Sequence, residues 1–340
     1  MVVAAPAGTQ SACREPEVWV AKGSGPFRTE GPRIAVEPTA RASAAVAPGL
    51  YKDHISAQHP FIEIHKDGGL ARVCVPQPLA ASRIRKPVPR GRVSEFSAAS
   101  RRRLRRTIAS TDLTKLSLFV HLTYPREFNP DSDVYKAHLD NFSRRMERAY
   151  PEAGFIWKLE FQKRGAPHFH VFVWGIPDFE NVGRWDADLK RKLDRSSCMF
   201  RIWLSETWYE IVGSGDLRHF RAGTRVERIA SREKAMAYCS GYASKDDQTQ
   251  PGNYVGRYWG ACLRKNIPWA PVVHVELTDA EAKVARRTLR RYTLASMRQG
   301  FLRKRARGIP VGKPRLRNNS NIIAYLDGNF WLRRLKQLLV

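Results

Sequence analysis

Between residues 114 and 276 apolar and polar positions follow two periods, one of strands and one of helices. "LSLFVHLTY" (116–124) is a buried strand by its run of β-branched and aromatic residues. "DSDVYKAHLDNFSRRMERAY" (131–150) is an amphipathic helix, with Val134, His138, Phe142 and Met146 recurring near helical period. "GFIWKLEFQ" (154–162) and "HFHVFVWG" (168–175) are strands, and "KRGAP" (163–167) between them reads as a tight hairpin turn. Residues 186–213 are predicted mostly helical, and "TRVERI" (224–229) a short strand. "SREKAMAYCSGYASKDD" (231–247) follows as a helix with Ser231 as N-cap and Glu233 in its first turn. The order β-α-β-β-α-β-α predicts an α+β fold, a central antiparallel sheet with flanking helices.

The flanks lack this rhythm. Residues 1–92 are rich in Ala, Pro, Gly and Arg, which predicts a flexible arm, with "FIEIHK" and "ARVCV" as its only strand-like strings. Ser94 is the expected cap of a short basic helix across 94–111. Residues 276–340 read as a basic, helical tail with 16 Lys and Arg against 4 acids. Three regions result: an arm (1–92), a folded domain (93–275) and the tail (276–340).

Charge gives the first indication of a partner. The chain has 340 residues with 59 Lys and Arg against 32 Asp and Glu, a net charge of +27, which points to nucleic acid. Cys13, Cys74, Cys198, Cys239 and Cys262 are scattered without a CxxC pair, so neither a zinc ribbon nor a disulfide framework is expected, and a reducing cytoplasm fits. No apolar run approaches the ~18 residues that span a bilayer, so no membrane partner is expected, and no secretory leader is recognisable. There is no GxxxxGK[ST] phosphate loop; "GIPVGKP" has the wrong spacing, and no helicase domain is expected.

Two clusters carry chemistry. His168 and His170 lie two apart on a strand and so project to one face. If the strands pair across the "KRGAP" turn, Glu160 comes beside them. Two imidazoles and a carboxylate make a facial site for a divalent cation, Mg2+ or Mn2+ in a phosphate-processing setting, with Zn2+ as a further option. An HxH pair in isolation is more often structural. In the second cluster Tyr238 and Tyr242 are i,i+4 on the predicted helix, with Lys245 three residues on. A phenol oxygen can attack an activated phosphorus, and a lysine can offset phosphate charge. Aromatics at this spacing otherwise pack into a core.

Taken in order, "FVHLTYP", "HFHVF" and "YCSGYASK" resemble the three motifs of HUH endonucleases, and "EFQKRGAPHFH" is similar to that family's Glu–turn–HUH hairpin. "VGRYWG" (255–260) is similar to a segment that follows the tyrosine helix in phage and plasmid relatives. The resemblance spans residues 94–270 and implies an RRM-like palm and a rolling-circle replication initiator of the two-tyrosine type. It implies metal ligands at His168, His170 and Glu160, supporting roles for His121 and Thr123, nucleophiles at Tyr242 and Tyr238, and Lys245 as the motif lysine. Gly241 stands where many two-tyrosine relatives have Lys, so the full YxxK unit belongs to Tyr242, and Tyr238 is either a second nucleophile or a bystander. The implied partners are single-stranded origin DNA and a host helicase and polymerase in a bacterial cytoplasm. The competing readings are a relaxase or transposase of the same family, with a three-histidine cluster in the relaxase case, and a non-catalytic DNA-binding protein.

Overall fold

A computed structural model describes residues 59–76, 93–177 save 94 and 116, 185–186, 191–192, 199–229, 231, 234–235, 238, 255–313, 316, 322–325, 330–331 and 333. The elements in chain order are β1 (Phe61–His65), β2 (Ala71–Cys74), α1 (Ala98–Ala109), β3 (Ser117–Thr123), α2 (Ser132–Ala149), β4 (Gly154–Phe161) and β5 (Pro167–Trp174). They continue with α3 (Met199–Val212), α4 (Leu217–Ala222), β6 (Thr224–Ile229), β7 (Trp259–Cys262), β8 (Val272–Glu276), α5 (Asp279–Arg305) and β9 (Ile322–Ala324). The expected α+β class and antiparallel sheet are present.

β6–β3–β5–β4–β7 form a five-stranded antiparallel sheet. Its centre is the expected hairpin of β4 and β5, whose turn places Gly165 at φ +80°, a conformation that favours glycine. The preceding Arg164 donates to the carbonyls of Tyr124, Pro125 and Arg126 and fastens the turn to the end of β3. One face of the sheet is apolar: Leu118, Val120, Leu122, Phe155, Leu159, Phe169, Val171 and Val173 are buried against α2 and α3. α2 begins as expected, with Asp131 accepting from the Asp133 amide, but its buried face differs. Phe142 and Met146 point inward as read from the sequence, whereas Tyr135 and Leu139 take the places expected of Val134 and His138. The aromatic bulk lies one position on, and the helix turns to bury it. α3 supplies Phe200, Leu204, Trp208 and Ile211, each such side chain contributing on the order of 2 kcal/mol through burial.

The helix predicted from 186 begins only at Met199; Trp185–Asp186 and Arg191–Lys192 pair instead as a short antiparallel ribbon. α1 is capped by Ser97, whose Oγ accepts from the Ser100 amide; Ser94, the expected cap, lies outside the described residues.

A second sheet, β8–β1–β2–β9, draws strands from regions read as arm and tail. The strings "FIEIH" and "ARVC" are its middle strands. Ile62, Ile64, Ala71 and Val73 form a core with Ala282, Ala285 and Leu289 of α5, together with Ala324 and Trp331. Its β1–β2 turn holds the end of α1 by backbone bonds, Gly69 N–H to Ala109 O and Leu113 N–H to Asp67 O. Among the described residues, no helix is long and apolar enough to cross a membrane.

Candidate metal centre and nucleophile

The register of the five-stranded sheet determines which side chains meet. His121 pairs with His170 and Thr123 with His168 across β3 and β5. Lys158 pairs with His170 and Glu160 with His168 across β4 and β5. Cross-strand partners share a face, as do residues two apart. His121, His168, His170, Lys158 and Glu160 therefore line the face opposite α2. α1 covers part of it, with Leu104 and Ile108 beside Lys158, His170 and Phe172 around a small cavity.

His121, His168 and His170 gather one ring nitrogen each within 4.8 Å of one another. His121 Nδ1 lies 3.3 Å from His168 Nε2. Glu160 Oε2 lies 3.0 Å from His170 Nε2. Two donors that share one ion at about 2.1 Å stand roughly 3.0–3.4 Å apart, so both spacings suit chelation. The group can hold a divalent cation. Burial, then the charge of His170, pushes the His121 pKa down to about 4, so its ring is neutral at pH 7 as a ligand must be. Burial alone would raise Glu160; the His170 hydrogen bond and the Lys158 ammonium outweigh it and hold the carboxyl at about 2. Lys158, 3% exposed, donates to Glu160 Oε1.

His121, expected only in support, thus stands as close to His168 as a co-ligand would. Thr123 has a different setting: its hydroxyl donates to Gly223 O at 2.8 Å, and its carbonyl accepts from Trp208 Nε1 and His219 Nε2. Those bonds fix the end of β3 rather than reach the imidazoles.

Ser231 Oγ accepts from the Lys234 amide, the predicted cap, and Tyr238 is helical. The Tyr238 ring packs 4.6 Å from Phe119, which itself lies 4.8 Å from His121 and 5.4 Å from His170 between ring centroids. Its hydroxyl donates to Glu227 Oε2 at 2.5 Å. Glu227 Oε1 is 2.8 Å from Arg225 Nη2 and 3.9 Å from His121 Nε2. One carboxylate therefore stands between the phenol and the imidazole group. Tyr242 and Lys245 lie outside the described residues. Sequence reasoning misses Glu227; its signal is the alternation in "TRVERI", which sets Arg225 and Glu227 on one face once β6 pairs with β3.

Residues 117–247 match a family model of replication-associated proteins, the ORF2 type. That stretch begins at β3, contains the imidazole group and runs through both tyrosines of the motif. A protein of Xylella fastidiosa (strain 9a5c), named for a replication role, is 32% identical over 121 residues, covering 34% of this chain. The chain spans 39% of the length of that relative. No solved structure matches. Together the two matches support a replication-associated family for the central sheet region.

Proposed function

We propose that the chain is a rolling-circle replication initiator that nicks single-stranded origin DNA by metal-assisted tyrosine attack. The observation that carries this reading is the meeting, on one sheet face, of three imidazoles and Glu160 with a tyrosine hydroxyl joined to them through Glu227. The four donors suit Mn2+ better than Mg2+, because imidazole is a poor partner for the harder ion. A divalent cation bound there polarises the scissile phosphate and offsets the charge that develops on it.

The protein's own groups do the rest. Lys158 holds Glu160, and Glu160 holds His170 in orientation. Basic surface retains the DNA strand. The oxygen of Tyr242 or Tyr238 attacks phosphorus in line. A Tyr–O–P bond forms, the bond to the 3′ oxygen breaks, and that oxygen takes a proton to leave a free 3′-OH for a host polymerase. For Tyr238 the phenol proton passes towards Glu227, which already accepts its hydrogen bond. Lys245, from its place in the motif, offsets phosphate charge. A second tyrosine attacks the regenerated junction and releases a circle. Strand separation falls to a helicase partner.

His121 favours one second reading, a relaxase-type enzyme of the same HUH chemistry, since it makes the imidazoles three. Circle release in the presence of polymerase separates the initiator from it. The test of the main reading is an origin oligonucleotide incubated with Mn2+ and the full chain. Wild type is expected to give a nicked, protein-linked product, and the Tyr238→Phe, Tyr242→Phe double variant none. An adduct from the double variant overturns the assignment.

A further inference from the structure

We propose that α5, continued by the arginines of α1, is a docking surface for double-stranded DNA, distinct from the imidazole face. The choice of DNA as the polyanion rests on the nicking reading; the surface itself follows from helix geometry. α5 buries Ala282, Ala285 and Leu289 against the second sheet. At about 100° per residue, Lys283, Arg287, Arg291, Arg298 and Arg305 fall within a sector of roughly 80° on the opposite side. All five are exposed. Because the helix is anchored by one face, the other presents its cations at fixed spacing.

The stripe reaches from residue 283 to 305, about 33 Å at 1.5 Å per residue, close to the ~34 Å of one turn of B-DNA. No acidic residue interrupts it: the sequence has none between Glu281 and Asp327, and Glu281 is engaged in the capping box with Thr278. A single strand would call for stacking platforms. The two aromatics of α5 do not provide them, since Tyr292 packs edge-on against Phe330 and Trp331 and Phe301 is half-buried. A straight row of cations without exposed rings fits a duplex phosphate ladder.

α1 links this surface to the nicking face. Arg102 and Arg103 are exposed, while Leu104 and Ile108 cover the cavity beside His170. On the other side Arg105 lies 3.8 Å over the ring of Tyr325, just after β9 of the second sheet. A duplex held along α5 therefore has a basic path towards the imidazoles, where one strand is cut.

The test uses the full chain and a labelled duplex, with binding followed as salt is raised. Each lost phosphate contact lowers the slope of log K against log salt by about 0.9, so Lys283→Gln, Arg287→Gln, Arg291→Gln and Arg298→Gln together lower it by about 3 to 4. Nicking of a single-stranded oligonucleotide stays unchanged, and Arg287→Lys retains duplex binding. An unchanged slope with a fold verified by melting overturns the proposal. So does an equal loss of affinity for single strands, or competition by anionic lipid vesicles as effective as that by duplex. A chain that binds duplex through the stripe but forms no tyrosine adduct sinks the nicking reading and leaves this one standing.

Discussion

The two sheets of this molecule bury a carboxylate by the same device and put it to different ends. In the second sheet Glu63 is held by His65, two residues along β1, and by Arg72 across the ladder. In the five-stranded sheet Glu160 is held by Lys158, two residues along β4, and by His170 from β5. Burial would raise both acids, and their partners pull both to about 2. The surroundings make the difference. Glu63 meets a guanidinium that is permanently charged, which closes the ion pair on itself. Glu160 meets an imidazole that belongs to a group of three, and imidazoles can exchange a proton for a metal ion. A buried charge is thus no sign of a reactive site by itself; the donor types around it decide.

The contrast can be broken most forcefully at the histidines. His168→Ala is expected to lose bound metal on dialysis, read by elemental analysis, and to slow nicking on the order of 100-fold or more. His65→Ala in the other sheet is expected to leave metal content unchanged. Metal loss from the His65 variant would erase the distinction between the two carboxylates. Next in size, Leu289→Ala removes a side chain from the core beneath α5 and is expected to cost about 3 kcal/mol. Hydrogen exchange should show the loss in β1, β2 and β9, with β3 to β5 still protected. Equal loss in both sheets would mean that they unfold as one.

Acid offers a finer cut. The Glu63 carboxyl, depressed from 4.5 to about 2, adds stability that is full above the unfolded value and disappears as pH falls towards 2. The contribution is on the order of 2 to 3 kcal/mol. Glu63→Gln should flatten that part of the stability-against-pH curve, and an unaltered curve would remove Glu63 as its source. The smallest expected effect is that of Lys158→Met, which frees one Glu160 oxygen and lowers metal affinity about tenfold. A metal titration that shows no change would make Lys158 a bystander.

The contrast also marks what the sequence could disclose. β3, α2, β4 and β5 were readable because apolar residues alternate over adjacent segments and the "KRGAP" turn sets the register of Glu160 with the histidines. The second sheet was not, since its strands pair residues 61–74 with 272–276 and 322–324, and no local pattern reports so distant a partner. Two short strings in a Pro- and Arg-rich context read as arm until β8 and β9 flank them. The full role of β3 was hidden for the same reason. His121 joins His168 and His170 only when β3 lies beside β5, a pairing made across α2 and β4. Glu227 needed one strand more.

The central claim is that a tyrosine oxygen reaches phosphorus beside the imidazole group. Peptide mass spectrometry of the full chain after incubation with Mn2+ and a single-stranded origin oligonucleotide tests it most directly. A nucleotide linked through phosphate to the peptide bearing Tyr238 or Tyr242, absent after chelation of the metal, is the expected result. Cut DNA with free 5′-phosphate ends and no modified peptide would contradict it and assign the cleavage to water.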